Sequence, residues 1–226
     1  MTNQEKLQKP LTPPEYQVTF GEFIGIGPNG NLWVDGCDVA DLAERFGTPL
    51  YIISENQLRQ NYRAFRDAFR AHYPDVEILF ANKSNNGLAI RHIMNSEGAG
   101  GDCFGAQEMY MALLAGTNGR TLVLNGSNKQ TEELELAIAN GLCVNIDAMD
   151  ELDRIDEVAR RLGVVAEIGI RLKLDLEPLT GRMGVAMHGP GTLKQQSDST
   201  KWGMTREQTA EIVKRAQAMP SVRLKE

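Results

Sequence analysis

The sequence predicts an α/β protein in which helices cover a parallel β-sheet. Between residues 50 and 172, short apolar segments alternate with amphipathic segments of helical period, and this alternation is typical of a parallel sheet. Polar residues follow directly after the apolar segments, where the loops of such a sheet surround a ligand. An open doubly wound sheet and an unclosed barrel both satisfy these observations.

The first 37 residues do not follow this alternation. Residues 1–16 are polar and contain proline, which predicts a flexible leader. Two apolar segments around an Asn-Gly turn then predict a β-hairpin over residues 20–34. The hairpin sequence matches Gly-x-Gly-x-x-Gly at Gly25, Gly27 and Gly30. A strand rather than a helix is predicted to follow this match, so we reject a dinucleotide site.

The alternating region opens with a short helix that Asp38 caps and Gly47 ends. Pro49 leads into a predicted strand at residues 50–53, and a helix is predicted over residues 55–73. Leu58, Tyr62, Phe65 and Phe69 share one face of that helix. The later predicted elements are, in order, strand 77–81, helix 87–97, strand 100–103, helix 105–115, strand 121–126, helix 131–140, strand 143–147, helix 149–162 and strand 167–172.

The alternation breaks after residue 172. Residues 175–200 contain glycines and prolines without a clear period, which predicts a long functional or mobile loop. A helix over residues 206–219 and the start of a strand at residue 221 then resume the alternation. The predicted sheet therefore has six strands and the start of a seventh, which would leave an eight-stranded barrel unclosed.

Composition excludes several classes of partner. The 226 residues carry a net charge of -6, and the basic residues are scattered, so we expect neither a nucleic-acid nor an anionic-membrane partner. A small-molecule ligand is the remaining expectation. No segment resembles a signal peptide or a membrane span, which predicts a cytoplasmic location.

Neither the cysteines nor the histidines have the spacing of a metal site. The sequence has three of each, at positions 37, 103 and 143 for cysteine and at positions 72, 92 and 188 for histidine. We therefore expect reduced thiols and no metal.

Five polar residues end or follow predicted strands: Lys83, Asp102, Asn125, Asp147 and Arg171. The carboxyl ends of parallel strands meet at one edge, so we expect these five side chains to share one mouth. Lys83 is the candidate nucleophile, because partial desolvation beyond a buried strand favours the neutral amine that attacks aldehydes. A solvated loop lysine is the alternative interpretation.

Two of these residues have alternative roles. Asp102 is expected to cap the following helix, with Glu108 completing the cap, or to support a neighbouring site residue rather than to react. Arg171 suits an anionic ligand oxygen or the surroundings of Lys83, and a plain salt bridge is the alternative.

Six segments resemble, in order, motifs of one family. FANKSN at 80–85 resembles Tyr-Ala-x-Lys-Ala-Asn, and GGDCFGAQEM at 100–109 resembles Gly-x-Asp-x-x-Ser-x-x-Glu. The other four are FGTPLYII at 46–53, NGSNKQTEEL at 125–134, IDAMDEL at 146–152 and KWGM at 201–204. Together they resemble the pyridoxal-phosphate-dependent amino-acid decarboxylases with an alanine-racemase-type barrel, which include diaminopimelate, ornithine and arginine decarboxylases.

The resemblance implies a fold and a cofactor. Residues 38–226 would form the first part of a (β/α)8 TIM-type barrel, and residues 17–37 would belong to a mostly missing β-rich second domain. Pyridoxal 5'-phosphate would form a Schiff base with Lys83, and Asp102 and Arg171 would line its pocket.

The resemblance also implies an activity, which is decarboxylation of an amino acid by a cytoplasmic homodimer. The amino-terminal segment resembles the bacterial lysine-pathway members, which favours meso-diaminopimelate as the substrate. An ornithine- or arginine-type decarboxylase, an alanine racemase and a non-catalytic homologue that binds a partner are the alternatives.

The sequence departs from the family pattern in two ways. Gly105 stands where the family usually has serine, so a hydroxyl contact is lost there. The ring-stacking histidine, the phosphate loop, the acidic partner of the ring nitrogen and the second-domain residues would all follow residue 226. We therefore predict that this chain alone is inactive.

Overall fold

A computed structural model describes residues 16–173 and 202–225. The chain divides into two compact units, residues 1–76 and residues 77–226. Apart from Tyr16, the predicted leader lies outside the described residues, as does the predicted loop at 175–200. The predicted domain boundary between residues 37 and 38 stays a prediction.

The first unit begins with a four-stranded antiparallel sheet whose strands follow one another in sequence order. The strands are β1 Val18–Gly21, β2 Ile24–Ile26, β3 Leu32–Val34 and β4 Cys37–Asp38. Strands β2 and β3 form the predicted hairpin, and Gly30 takes a φ of 80° at its turn. The Gly-x-Gly match therefore lies in the predicted hairpin, with a strand rather than a helix after it.

Two helices follow in the described part of the first unit, α1 Val39–Phe46 and α2 Glu55–Arg70. The Asp38 carboxylate accepts a hydrogen bond from the Ala40 amide at 2.8 Å, and Gly47 ends α1 with a φ of 83°. Both predicted caps are confirmed. On the predicted apolar face of α2, Tyr62 is buried, whereas Phe65 and Phe69 are about half exposed.

The strand predicted at residues 50–53 is wrong, because no strand is formed there. Tyr51 in this segment is 96% exposed. Apolar and β-branched composition favours an extended chain, but a strand also requires a neighbouring backbone with which to exchange hydrogen bonds. That requirement is not visible in the local sequence.

The second unit is built on a six-stranded parallel sheet in the order β5 to β10. Its strands are β5 Leu79–Ala81, β6 Gly100–Cys103, β7 Leu122–Leu124, β8 Cys143–Ile146, β9 Ala166–Ile170 and β10 Val222–Leu224. The helices in the described part of this unit are α3 Leu88–Ser96, α4 Ala106–Leu114, α5 Thr131–Ala139, α6 Glu151–Leu162 and α7 Arg206–Gln217.

The strand order decides between the two predicted sheet types. A doubly wound sheet reverses its strand order at a switch point. Strands β5 to β10 instead lie side by side in sequence order without reversal, and right-handed crossovers in one direction place their helices on one face. The second unit is a partial (β/α) barrel.

Alternate residues of the strands face the helices and form the core. Cys103, Leu124, Val144, Ile146 and Ile168 pack in one cluster with residues of α4 to α7. Because side chains alternate along a strand, the intervening positions face away from the helices. Those positions carry the polar residues described below. No helix in the described part of the chain is long and apolar enough to cross a membrane.

Candidate active site

Lys83 lies in a single 3-10 turn, Asn82–Ser84, that directly follows β5. Its side chain is exposed, and its Nζ lies 4.2 Å from the centroid of the Phe104 ring. Within the described ranges, no carboxylate lies within 4.0 Å of this Nζ. The ammonium group therefore contacts the face of the Phe104 ring instead of an opposite charge. The sequence predicts that the Lys83 amine is partly removed from water, but the described residues leave it exposed.

A buried polar network anchors the turn that carries Lys83. Asn82 donates to the Sγ of Cys103 at 3.1 Å and accepts from the Arg91 guanidinium at 3.5 Å. Arg91 is 1% exposed and also donates to two backbone carbonyls at the start of β6, at 2.6 and 2.8 Å. Burial raises the pKa of the Cys103 thiol to about 12. The end of β5 is therefore fixed to β6 from the helix side.

Asp102 is the acceptor at one end of a ladder of side-chain hydrogen bonds. Its Oδ1 accepts from Asn125 at 2.6 Å, and the Oδ1 of Asn125 accepts from Asn145 at 2.7 Å. A Cβ at Gly169 would lie 2.0 Å from the Oδ1 of Asn145, so only glycine leaves room for the ladder. The ladder crosses β6, β7 and β8 on the face away from the helices.

The helix-cap interpretation of Asp102 is wrong, since Gly105 occupies the amino-terminal cap of α4 and no side chain caps it. The carboxylate of Glu108 accepts from the amide of Phe104, the residue before this cap, at 2.9 Å. Gly105 has an extended backbone, and the atom nearest to its missing Cβ is Oε1 of Glu133, at 3.2 Å.

Arg171 forms the salt bridge that was one of its two predicted interpretations. Its Nη1 donates to the Oδ1 of Asp147 at 3.2 Å, and its guanidinium carbon lies 5.2 Å from the centroid of the Trp202 ring. Asp147 is buried and also accepts from the Gly203 amide at 3.1 Å. The Arg171 side chain remains 35% exposed, so part of the guanidinium is accessible to a ligand.

The five predicted site residues follow or end five neighbouring strands, β5 to β9, at their carboxyl ends. Asp102 and Asn125 are in contact, as are Asp147 and Arg171. Lys83 contacts neither pair through an ion pair in the described part of the structure, and it reaches β6 through Phe104. The five predicted residues therefore lie at the carboxyl edge of the sheet, where four of them form two contacting pairs and Lys83 lies apart from both.

Sequence reasoning missed three polar residues at this edge. Asn145 was detectable, because it is a single amide within the apolar strand CVNI. Lys129 and Glu151 form an ion pair of 2.9 Å with 2% and 1% side-chain exposure. Both lie in segments that resemble family motifs, but nothing in either segment shows that the two side chains pair. Burial lowers the pKa of Lys129, and the Glu151 charge opposes this shift.

The geometry around Lys83 suits a ligand with a reactive carbonyl group. A primary amine is accessible on the edge of the sheet, an aromatic ring supports it, and a carboxylate and a guanidinium follow neighbouring strands. Amines of this kind add to aldehydes and thereby hold cofactors covalently.

A family model described as the pyridoxal binding domain of pyridoxal-dependent decarboxylases matches residues 55–224. The chain belongs to this family. The match confirms the family and the pyridoxal cofactor predicted from the sequence. The cofactor of this family carries an aldehyde, a group with which an accessible primary amine reacts.

Individual relatives support the same assignment. The chain is 34% identical over 158 residues to a diaminopimelate decarboxylase of Methanothermobacter thermautotrophicus, covering 70% of this chain and 35% of the relative. It is 35% identical over 152 residues to that of Archaeoglobus fulgidus, covering 67% and 35%. The matched part of the chain therefore spans about a third of the length of these relatives.

A solved structure confirms the fold of this pyridoxal-binding domain. The crystal structure of diaminopimelate decarboxylase from Methanocaldococcus jannaschii matches with a TM-score of 0.79 at 30% identity. The match covers 90% of this chain and 46% of that chain. The predicted partial barrel is therefore confirmed.

Proposed function

We propose that this chain is the pyridoxal-binding part of a diaminopimelate decarboxylase, which converts meso-diaminopimelate to lysine and carbon dioxide. The exposed amine of Lys83, at the carboxyl edge of the barrel strands, carries the proposal. Relatives named diaminopimelate decarboxylase at 34% and 35% identity support it. One solved diaminopimelate decarboxylase, 29% identical to this chain, is a complex with L-lysine, the product of the proposed reaction.

Three residues of this chain would hold the cofactor. Lys83 would bind it through its amine, and Asp102 and Arg171 would line its pocket. When bound, pyridoxal phosphate supplies an electron-accepting ring that stabilises the charge left by the departing carboxylate. The chemistry of the site fits this group, because the amine is accessible and is not neutralised by a carboxylate within the described ranges.

The surrounding residues fix these groups before any ligand arrives. The Phe104 ring holds the charged amine of Lys83 over its face. Asn125 occupies one oxygen of Asp102 and thereby orients the carboxylate. Asp147 and Trp202 hold the Arg171 guanidinium on two sides. Each group is thus restrained near one orientation, which lowers the ordering cost of binding.

We further propose that the protein acts on a small amino acid as a cytoplasmic homodimer. The net charge of -6 with scattered basic residues supports a small ligand over nucleic acid or an anionic membrane. Light scattering on the protein purified from its native source measures the assembly, and a monomer would contradict the dimer.

Cofactor attachment tests the role of Lys83. The chain is incubated with pyridoxal phosphate, reduced with borohydride and digested, and the labelled peptide is identified by mass spectrometry. We expect label on the Lys83 peptide in the native chain and in Lys214→Ala, which removes an exposed lysine of α7. Lys83→Ala should lose the label. Equal labelling of Lys83→Ala at another lysine would overturn the assignment.

Carbon dioxide release tests the substrate. The protein purified from its native source is offered meso-diaminopimelate, ornithine and arginine in parallel. Release from meso-diaminopimelate is expected to exceed release from the other two, and a preference for ornithine or arginine would replace the proposed substrate.

A further inference from the structure

The buried ion pair between Lys129 and Glu151 has no part in the function proposed above. Its two charges are 2.9 Å apart and almost fully removed from water, an arrangement that is expensive unless both groups are well bonded. The two residues lie in NGSNKQTEEL and IDAMDEL, segments to which no site residue was assigned except Asn125 and Asp147.

Lys129 connects the pair to the lysine side of the candidate active site. Its Nζ also donates to the carbonyl oxygen of Gly126 at 2.6 Å. Gly126 packs against Phe104, since a Cβ at Gly126 would lie 3.3 Å from the Phe104 carbonyl oxygen and 3.5 Å from its ring. The Phe104 ring in turn supports Lys83.

Glu151 connects the pair to the arginine side. The same oxygen that binds Lys129, Oε2, accepts from the backbone amide of Asp147 at 2.8 Å. The Asp147 carboxylate then holds Arg171 and the Gly203 amide. One carboxylate oxygen therefore connects the loop after β7 with the loop after β8.

The two oxygens of the Glu151 carboxylate are bonded unequally. Oε1 is buried and accepts no hydrogen bond in the described part of the chain, and the guanidinium of Arg154 lies 4.0 Å away. Both bonds of the carboxylate are concentrated on Oε2, where they join two loops. The carboxylate thus joins the two loops through Oε2, although this leaves Oε1 without a hydrogen bond in the described part of the chain.

We propose that Lys129 and Glu151 are a positioning pair that sets the distance between Lys83 and Arg171. The pair contacts neither residue directly. It acts on Lys83 through Gly126 and Phe104, and on Arg171 through Asp147. This role rests on the proposed function, because it concerns the geometry of the same cofactor site.

The double variant Lys129→Met with Glu151→Leu tests the role. It replaces the ion pair with apolar side chains of similar volume, a change that often preserves stability. The matched control is Arg161→Met with Glu135→Leu, an exposed ion pair between α5 and α6. Unfolding midpoints and cofactor affinity are measured for both double variants and for the native chain.

We expect the buried double variant to fold with a somewhat lower unfolding midpoint, because the Asp147 amide and the Gly126 carbonyl lose a partner, and to bind pyridoxal phosphate about 10- to 100-fold more weakly. The exposed control should bind as the native chain does. Native affinity in the folded buried double variant would overturn the proposal, because the pair would then serve stability alone.

If the double variant does not fold, the single variant Glu151→Asp tests the same role. It retains the charge but shortens the side chain, so that one oxygen no longer reaches both Lys129 and the Asp147 amide. Hydrogen exchange of the Asp147 and Gly203 amides, measured without cofactor, should accelerate in this variant. Unchanged exchange would contradict the positioning role, whereas absent cofactor binding by the native chain would contradict the proposed function instead.

Discussion

Asn125 donates a hydrogen bond of 2.6 Å to the carboxylate of Asp102 and thereby joins the carboxyl ends of β6 and β7. Asn145 extends the connection to β8 by donating to Asn125. Each amide donates toward Asp102, which is consistent with a carboxylate that only accepts. The orientation of Asp102 therefore depends on residues of two neighbouring strands.

Replacing Asn125 should weaken the fold measurably. Asn125→Ala removes the donor to Asp102 and leaves Asn145 without its acceptor, so we expect a loss of about 1.5–3 kcal/mol in the free energy of unfolding. Urea denaturation measures this loss. Asn140→Ala, at the exposed end of α5, is the control and should lose much less. Equal losses would show that the ladder contributes little.

Gly169 should not tolerate alanine. The added methyl group would meet Asn145 at 2.0 Å, so we expect Gly169→Ala to lose about 1–3 kcal/mol of stability and to disturb the ladder. Gly105→Ala is the matched control, because Gly105 has an extended backbone and faces only the flexible end of Glu133. Thermal melts of the two variants make the comparison, and similar melting temperatures would refute the prediction.

Phe104 should reduce the reactivity of Lys83. The ring holds the Nζ against its face and covers one side of the amine, so Phe104→Leu should expose more of it and raise the rate of Lys83 acetylation about two- to fivefold. Competitive acetylation followed by mass spectrometry measures the rate. Tyr110→Leu removes an exposed ring of α4 and should leave the rate unchanged. A slower reaction in Phe104→Leu would contradict the prediction.

Cys103 should make the fold less stable at alkaline pH. Burial raises the pKa of its thiol from 9.0 to about 12, so between these values the unfolded chain releases a proton that the folded chain retains. Stability therefore falls as pH rises through this interval, and the thiol has no such effect below it. Cys103→Ser retains a partner for Asn82 and should flatten the decline in urea midpoint. Parallel curves for the two proteins would be the opposing result.

Local signals explain why most elements were predictable. The helices α3 to α7 begin and end within about two residues of their predicted bounds, since caps and the helical period lie within each segment. The segment at 50–53 carries an equally clear apolar signal but forms no strand. A strand needs a second backbone segment to exchange hydrogen bonds with, and the sequence of one segment does not identify that second segment.

In the candidate site, the positions of residues at strand ends were predictable from the sequence, whereas the contacts between side chains were not. Lys83, Asp102 and Arg171 were found because the end of a strand can be located in the sequence, and strand ends meet at one edge. The contacts between side chains were not predictable. Lys129 and Glu151 are 22 residues apart, and their burial depends on how two loops pack. The contact of Gly169 with Asn145 likewise arises only from the register of β8 and β9.

The order of strands β5 to β10 has a consequence for biosynthesis. Each strand pairs with the one that precedes it in the chain, so each parallel pair is complete once the intervening segment and the second strand have been synthesised. A ribosome releases the amino-terminal strand first, and every later strand emerges next to an edge that is already formed. We expect the sheet to assemble during translation, one β–α unit at a time.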